Sequence, residues 1–271
     1  MKEAIIGAKG YVGAAMKNLF KDAILYDITD DVWASKEAVN KCDLGIICVN
    51  TPQSEDGSAD LSQVHEVLSW LETPLILIKS TMPPGTTEKL KEKYGKRIIF
   101  SPEYIGETIA HNMLDLVNRD FWIFGGERKD TMEVVEFWKS HVKTTARFYQ
   151  TDSKTAEIVK YMENCFFATK VMFCNEFYEI CKSFGKDYNE VRELWLADST
   201  RINRNHTQIY EDNRGFGGKC LPKDLAAIVK ASTDNGYIPD LLREVEKSNK
   251  RFKGDNQNQS ESYKTKIGSQ K

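Results

Sequence analysis

No window of this 271-residue chain approaches the roughly eighteen consecutive apolar residues needed to cross a bilayer. The opening MKEAIIG already reads as a strand, without the basic and apolar regions of a signal peptide. A cytoplasmic protein with no membrane partner is expected. An excess of one charge is also missing: 38 Lys and Arg against 40 Asp and Glu leave a net charge of −2, and so no broad positive field for nucleic acid. The six cysteines, Cys42, Cys48, Cys165, Cys174, Cys181 and Cys220, form no CxxC pair. Neither disulfides nor structural zinc are implied, and no metal is expected. Hydrophobic residues, at 41%, suffice for one large or two modest domains.

Apolar runs at Ala4–Ile6, Ala23–Tyr26, Leu44–Val49, Leu75–Ile78, Ile98–Phe100 and Phe121–Phe124 alternate with segments of helical period such as Tyr11–Phe20 and Leu61–Leu71. This alternation predicts an α/β fold, a doubly wound Rossmann-type domain with a parallel sheet covered on both faces. From Thr151 to Phe184 neither proline nor glycine interrupts the chain. One long helix of roughly 50 Å is expected, with apolar positions around most of its circumference. Such a helix crosses between domains or pairs with a second subunit. Further helices are expected at Tyr188–Ala197, Leu221–Asn235 and Pro239–Phe252, followed by a polar segment that reads as disordered. The expected organisation is a nucleotide-binding domain over 1–150, a long helix with a helical substrate and dimerisation domain over 151–253, and a tail over 254–271.

Four constellations carry chemistry. Gly7, Gly10 and Gly13 follow the first strand and open the first helix, where backbone N–H groups and the helix N-terminus suit a pyrophosphate. Asp27 ends the next strand, placed to accept from a ribose diol, and favours NAD over NADP. The alternative is an ordinary strand-to-helix turn. Second, the loops Lys79–Thr87 and Ser101–Glu107 follow strands four and five, where an open parallel sheet binds its ligands. Glu103 and Glu107 lie four apart, so one is a candidate general base and the other a candidate cofactor contact; a plain helix N-terminal charge is the competing reading of Glu103. Third, Lys160 and Asn164 share a helix face at i, i+4, as either an oxyanion-stabilising pair or a solvated face. Fourth, Gly215-Phe216-Gly217-Gly218-Lys219-Cys220 delivers a thiol to a helix start beside a lysine, which favours thiolate. The other five cysteines read as core.

GAKGYVG, KSTMPPGTT, SPEYIGE, AEIVKYMENCFFATKVMFCNE and GFGGKCLPKD, in that order, closely resemble motifs of the UDP-glucose 6-dehydrogenases within the UDP-glucose/GDP-mannose dehydrogenase family, over residues 1 to about 250. The resemblance implies a homodimer packed through the long helix, oxidising the primary alcohol of a sugar nucleotide to a carboxylate with two NAD⁺. Carried over by motif, Cys220 attacks the aldehyde, giving a thiohemiacetal and then a thioester. Glu103 is the base for thioester hydrolysis, Lys160 and Asn164 stabilise the oxyanion, and Asp224 and Thr81 belong to a water and proton network. Cofactor contacts fall to Gly7, Gly10, Tyr11, Val12, Gly13, Asp27, Thr51, Thr81, Glu107 and Lys223. Substrate contacts fall to Glu103, Tyr104, Ile105, Lys160, Asn164, Gly215, Phe216 and Gly217, and to Arg201, which reaches the neighbouring subunit's substrate. Lys223 after Pro222 resembles glucose and mannose enzymes more than N-acetylmannosamine ones. Family members continue into a second doubly wound domain that this sequence does not contain. Two alternatives therefore stand beside the preferred reading: a binding module that does not turn over, and a two-electron dehydrogenase of the hydroxyacid type, which leaves Cys220 without a task.

Overall fold

The computed structural model describes residues 1–29, 33–105 and 116–268, with side chains described to residue 254. Glu107 and Gly106 therefore lie outside the described residues. The chain divides into two units, Met1–Tyr161 and Met162–Lys271. The boundary falls eleven residues later than the expected end of the first domain, inside the long helix.

In chain order the first unit holds β1 (Glu3–Ile6), α1 (Tyr11–Leu19), β2 (Ile24–Tyr26), α2 (Lys36–Val39), β3 (Leu44–Ile47), α3 (Ser62–Trp70), β4 (Leu75–Ile78), α4 (Thr86–Tyr94), β5 (Ile98–Phe100), β6 (Phe121–Gly125), α5 (Arg128–Lys139) and β7 (Arg147–Thr151). The seven strands form one sheet in the order β2-β1-β3-β4-β5-β6-β7. Every neighbouring pair is parallel except β5 with β6. Central strands read as unbroken apolar runs because helices cover both faces and each side chain is buried whichever way it points. Ile5, Leu44, Ile46, Leu75, Leu77 and Ile99 join the core under α1 and α5, while Ala4, Ile6, Ile47, Ile76, Ile78 and Ile98 join the core under α3 and α4. Each fully buried Ile or Leu contributes about 1.5–3 kcal/mol. Trp138 closes the first layer edge-on against Phe20, Trp122 and Phe124 at centroid distances of 4.8, 5.5 and 5.3 Å. The seventh strand, Arg-Phe-Tyr-Gln-Thr, is absent from the sequence reading. It is the sheet edge, so only Phe148 packs inward and the polar majority hides the period.

The long helix, α6 (Ser153–Ser183), is followed in the second unit by α7 (Tyr188–Trp195), α8 (Leu221–Asp234) and α9 (Asp240–Gly268). Cys165, Ala168 and Met172 of α6 pack with Phe216, Leu225 of α8, and Val245 and Phe252 of α9. Met162, Phe166, Phe173, Phe177 and Ile180 on α6, and Phe184 just beyond it, recur at helical spacing and stay exposed, Met162 at 73% and Phe166 at 60%. The segment expected to be a disordered tail lies largely within α9, which continues past Phe252 to Gly268. The run from residue 253 to 268 contains no proline, the strongest helix breaker.

Candidate active site

The chemistry-bearing residues fall into two groups, one in each unit. In the first, the sheet order reverses between β1 and β3, the switch point at which an open α/β sheet leaves a crevice. Gly7, at φ +81°, ends β1 there, and a Cβ on it would sit 2.8 Å from the Cys48 carbonyl oxygen beyond β3. A Cβ on Gly13 would meet the Gly7 carbonyl oxygen at 2.1 Å. Both positions admit only glycine, because α1 is drawn down onto the turn. Gly10 is the N-cap of α1 and has no side chain to cap that end, so Tyr11 and Val12 open a helix N-terminus suited to a pyrophosphate. Asp27, immediately after β2, accepts from the Lys9 N–H at 3.0 Å and from the Thr29 N–H and hydroxyl at 3.1 and 2.8 Å. Burial pushes its pKa up, but these hydrogen bonds outweigh burial and hold it below the usual carboxylate value. The residues present fit a dinucleotide: a cradle without Cβ atoms, a helix N-terminus and an ionised acid beside it.

The loops after β3 and β4 are tied together, with the Thr51 hydroxyl donating to the Thr81 carbonyl at 2.8 Å and the Ser80 hydroxyl to the Val49 carbonyl at 2.7 Å. Glu157, in the first turns of α6, accepts from the Gly85 N–H at 2.6 Å and from the Thr87 N–H and hydroxyl at 2.8 and 2.6 Å. It supplies the cap for α4 that Gly85, its N-cap residue, lacks. Glu103, after β5, is buried and pairs with Lys160, itself 4% exposed, at 3.1 Å. Its other oxygen accepts from the Ile105 N–H at 2.7 Å. Burial raises its pKa, yet the Lys160 charge and the Ile105 hydrogen bond prevail and hold it low. Glu103 is thus an ionised, buried carboxylate and not a plain helix-end charge. Tyr104 lies beneath the Lys160 ammonium, 5.6 Å from ring centroid to Nζ. Lys79, at the end of β4, is 1% exposed and donates to the Ser101 hydroxyl and the Pro102 carbonyl, each at 3.0 Å.

In the second unit Cys220 is the N-cap of α8 and partly exposed, whereas Cys42, Cys48, Cys165, Cys174 and Cys181 are buried. Burial pushes the Cys48 and Cys165 thiols up to about 12. The five cysteines expected in the core are buried. One turn into α8, buried Asp224 accepts from the Asn164 amide at 2.5 Å and from Lys223. The loop before Cys220 is held at both sides. Arg214 donates to the Asn175 side chain at 2.8 Å, the Asn175 carbonyl at 3.1 Å and Glu179 at 2.6 Å, and the Gly215 N–H reaches Asn175 at 3.2 Å. Asn249 of α9 pairs with Phe216. The Phe216 ring, expected against substrate, is buried in the helical core, because α6, α8 and α9 enclose it. The loop's exposed residues are Gly217, Gly218 and Lys219. Arg201 is exposed and holds Asp198 at 2.6 Å.

The residues missed by sequence reasoning are Lys79, Glu157, Arg214, Asn175 and Asn249. Lys79 carried a signal, an ionisable residue directly after the four-residue strand Leu-Ile-Leu-Ile. The other four are polar residues at ordinary spacing, and only the fold gives them partners. Among the described residues no cluster of three or more His, Cys, Asp or Glu could hold a metal, and no helix is long and apolar enough to cross a membrane.

Comparison with known proteins bears on both units. Residues 26–141 match the NAD binding domain of the UDP-glucose/GDP-mannose dehydrogenase family, and residues 154–251 match its central domain. A UDP-glucose 6-dehydrogenase of Pseudomonas aeruginosa is 31% identical over 234 residues, covering 80% of this chain and 50% of that protein. The chain spans about half the length of the curated relatives it matches. Among solved structures, a UDP-glucose dehydrogenase from Pyrobaculum islandicum aligns with a TM-score of 0.78 at 25% identity, covering 92% of this chain and 68% of that one. A UDP-D-ManNAc dehydrogenase from Pyrococcus horikoshii aligns at 0.79 with 26% identity, covering 93% and 69%.

Proposed function

This chain belongs to the UDP-glucose/GDP-mannose dehydrogenase family, with NAD as its cofactor, and on that premise we propose that it oxidises the primary alcohol of a nucleotide-activated hexose, UDP-glucose foremost, to the carboxylate. The observation that carries the reading is the placement of Cys220 at the α8 N-cap, partly exposed, while every other cysteine is buried. A two-electron oxidation has no use for such a thiol. The turn at Gly7, Gly10 and Gly13 with Asp27 would hold NAD⁺, which would supply the hydride acceptor for both oxidations at C6.

Between those oxidations the Cys220 sulfur adds to the C6 aldehyde, forming a C–S bond and a thiohemiacetal whose hydroxyl proton is lost as the second hydride leaves. The product is a thioester, activated enough for water to displace the sulfur. Glu103 takes the proton of the attacking water, a role supported by its ionised state beside Lys160. Lys160 and Asn164 stabilise the oxyanion of the addition steps, and collapse returns the thiolate and a carboxylate. Asp224 orients Asn164 by accepting from its amide, and Thr81 is proposed for the water and proton network. Thr51, Glu107 and Lys223 are proposed cofactor contacts; Tyr104, Ile105, Arg201, Gly215, Phe216 and Gly217 are proposed substrate contacts, Phe216 through its backbone.

A second copy of the chain is the proposed partner, supported by the exposed stripe of α6 from Met162 to Ile180. Free thiols suit a reducing compartment, and the cytoplasm is the proposed location. The test is the NADH yield with UDP-glucose and NAD⁺. Two NADH per sugar is the expected result; one would assign a hydroxyacid-type oxidation, and none with any sugar nucleotide would leave a binding module. A panel including GDP-mannose and N-acetylated sugars identifies the hexose.

A further inference from the structure

Lys79, buried between the loops that follow β4 and β5, has no part in the reaction above. A lysine 1% exposed at the end of a parallel strand is costly unless each donor is used. Its Nζ donates to the Ser101 hydroxyl and the Pro102 carbonyl, both at 3.0 Å, and faces the Trp122 ring at 5.7 Å. The two acceptors are the residues immediately before Glu103. From the same surroundings Glu103 is held by Lys160 on one oxygen and by the Ile105 N–H on the other. Lys79 thus grips the backbone on one side of a carboxylate whose own oxygens are gripped on the other.

We propose that Lys79 is a positioning residue for the water-activating step: it locks the Ser101–Pro102 segment to the end of β4 and thereby fixes where the Glu103 carboxylate stands. The inference rests on the role proposed for Glu103.

The charge on Lys79 gives the arrangement a second effect. Burial brings the ammonium down to about 7, with Arg119 and Lys160 adding to the fall and Glu103 and Cys48 opposing it. A neutral amine keeps two N–H donors, one for each of its acceptors, so the grip survives deprotonation. What changes is the field on Glu103, whose pKa Lys79 helps to lower. Loss of that charge makes Glu103 a stronger base, and the water step accelerates as pH rises through about 7.

Lys79→Met tests this in two ways. In its crystal structure the Ser101–Ile105 segment is expected to shift and the Glu103–Lys160 pair to open; an unchanged segment and pair overturns the proposal whether or not the chain turns over substrate. In kinetics with UDP-glucose and NAD⁺, kcat is expected to fall about 10- to 100-fold with KM for the sugar nucleotide little changed. The variant's pH profile should also lack the wild-type inflection near 7. Full kcat with the inflection retained overturns it. Ser101→Ala removes one of the two grips without introducing a new group, and is expected to lose several-fold in kcat. If Lys79→Met does not fold, a wild-type kcat and pH profile in Ser101→Ala overturns the proposal. A wild-type chain with no turnover refutes the proposed function, and the crystallographic comparison then still decides the role of Lys79.

Discussion

Asn249 of α9 pairs with both backbone groups of Phe216: its Oδ1 accepts the Phe216 N–H at 2.8 Å and its Nδ2 donates to the Phe216 carbonyl at 3.1 Å. A single amide thus does for the cysteine loop what a neighbouring strand would do. Asn249→Ala leaves two buried-side backbone groups to find other partners, at about 1–3 kcal/mol. The denaturation midpoint should fall accordingly, and the Phe216 amide should lose hydrogen-exchange protection. A protected amide in the variant would show that the loop is held by other means.

Cys220→Ser is expected to abolish the covalent adduct seen by intact mass on incubation with UDP-glucose and NAD⁺, while NAD⁺ affinity stays within about twofold. In the native wild-type protein, iodoacetamide should label Cys220 ahead of the other five cysteines, which are buried.

Gly13→Ala places a methyl 2.1 Å from the Gly7 carbonyl oxygen, against backbone that cannot rotate away. Overpacking of this kind costs about 1–3 kcal/mol. The displaced turn should also weaken NAD⁺ binding, measured by calorimetry, with the second unit's thiol reactivity unaltered.

Lys79 makes stability depend on pH. Its folded pKa, about 7, lies below lysine's ordinary value of 10.5. Between those values the unfolded chain holds a proton that the folded chain does not, so stability rises with pH across the window. Below it both states are protonated and the burial cost is carried in full. Urea midpoints from pH 7 to pH 10 should climb in the wild type, and Lys79→Met should remove that part of the slope.

Phe173→Glu puts a charge in the exposed stripe beside Phe177, whose ring lies 4.6 Å away. If a second copy covers the stripe, sedimentation equilibrium should report a dimer for the wild type and a monomer for the variant. Helical content should be unchanged, since Phe173 is half-exposed and not in the core.

What could be read in advance was whatever one element states by itself. Leu75–Ile78 announces a buried strand because its four residues are all apolar, and Gly7, Gly10 and Gly13 announce a turn because two of them admit no other residue. The glycine-rich approach to Cys220 announced a loop that opens a helix, and Cys220 is the N-cap of α8. Partnerships were not legible. Lys79 stands in a loop marked for ligand binding, but its partners Ser101 and Trp122, more than twenty residues away, emerge only from the fold. The buried Phe216 ring reads as a ligand contact until α6, α8 and α9 close around it. β7 was invisible for the opposite reason: an edge strand buries too little to impose a pattern.

Glu157 and Lys160 stand three residues apart in the opening turns of α6, one holding the N-terminus of α4 and the other holding Glu103. The two loops that follow β4 and β5 are therefore indexed from a single helical turn, as two wards are set by one key. Inserting one residue ahead of Glu157 would rotate both side chains by about 100°. It would unseat both loops at once, with the sequence of neither loop altered.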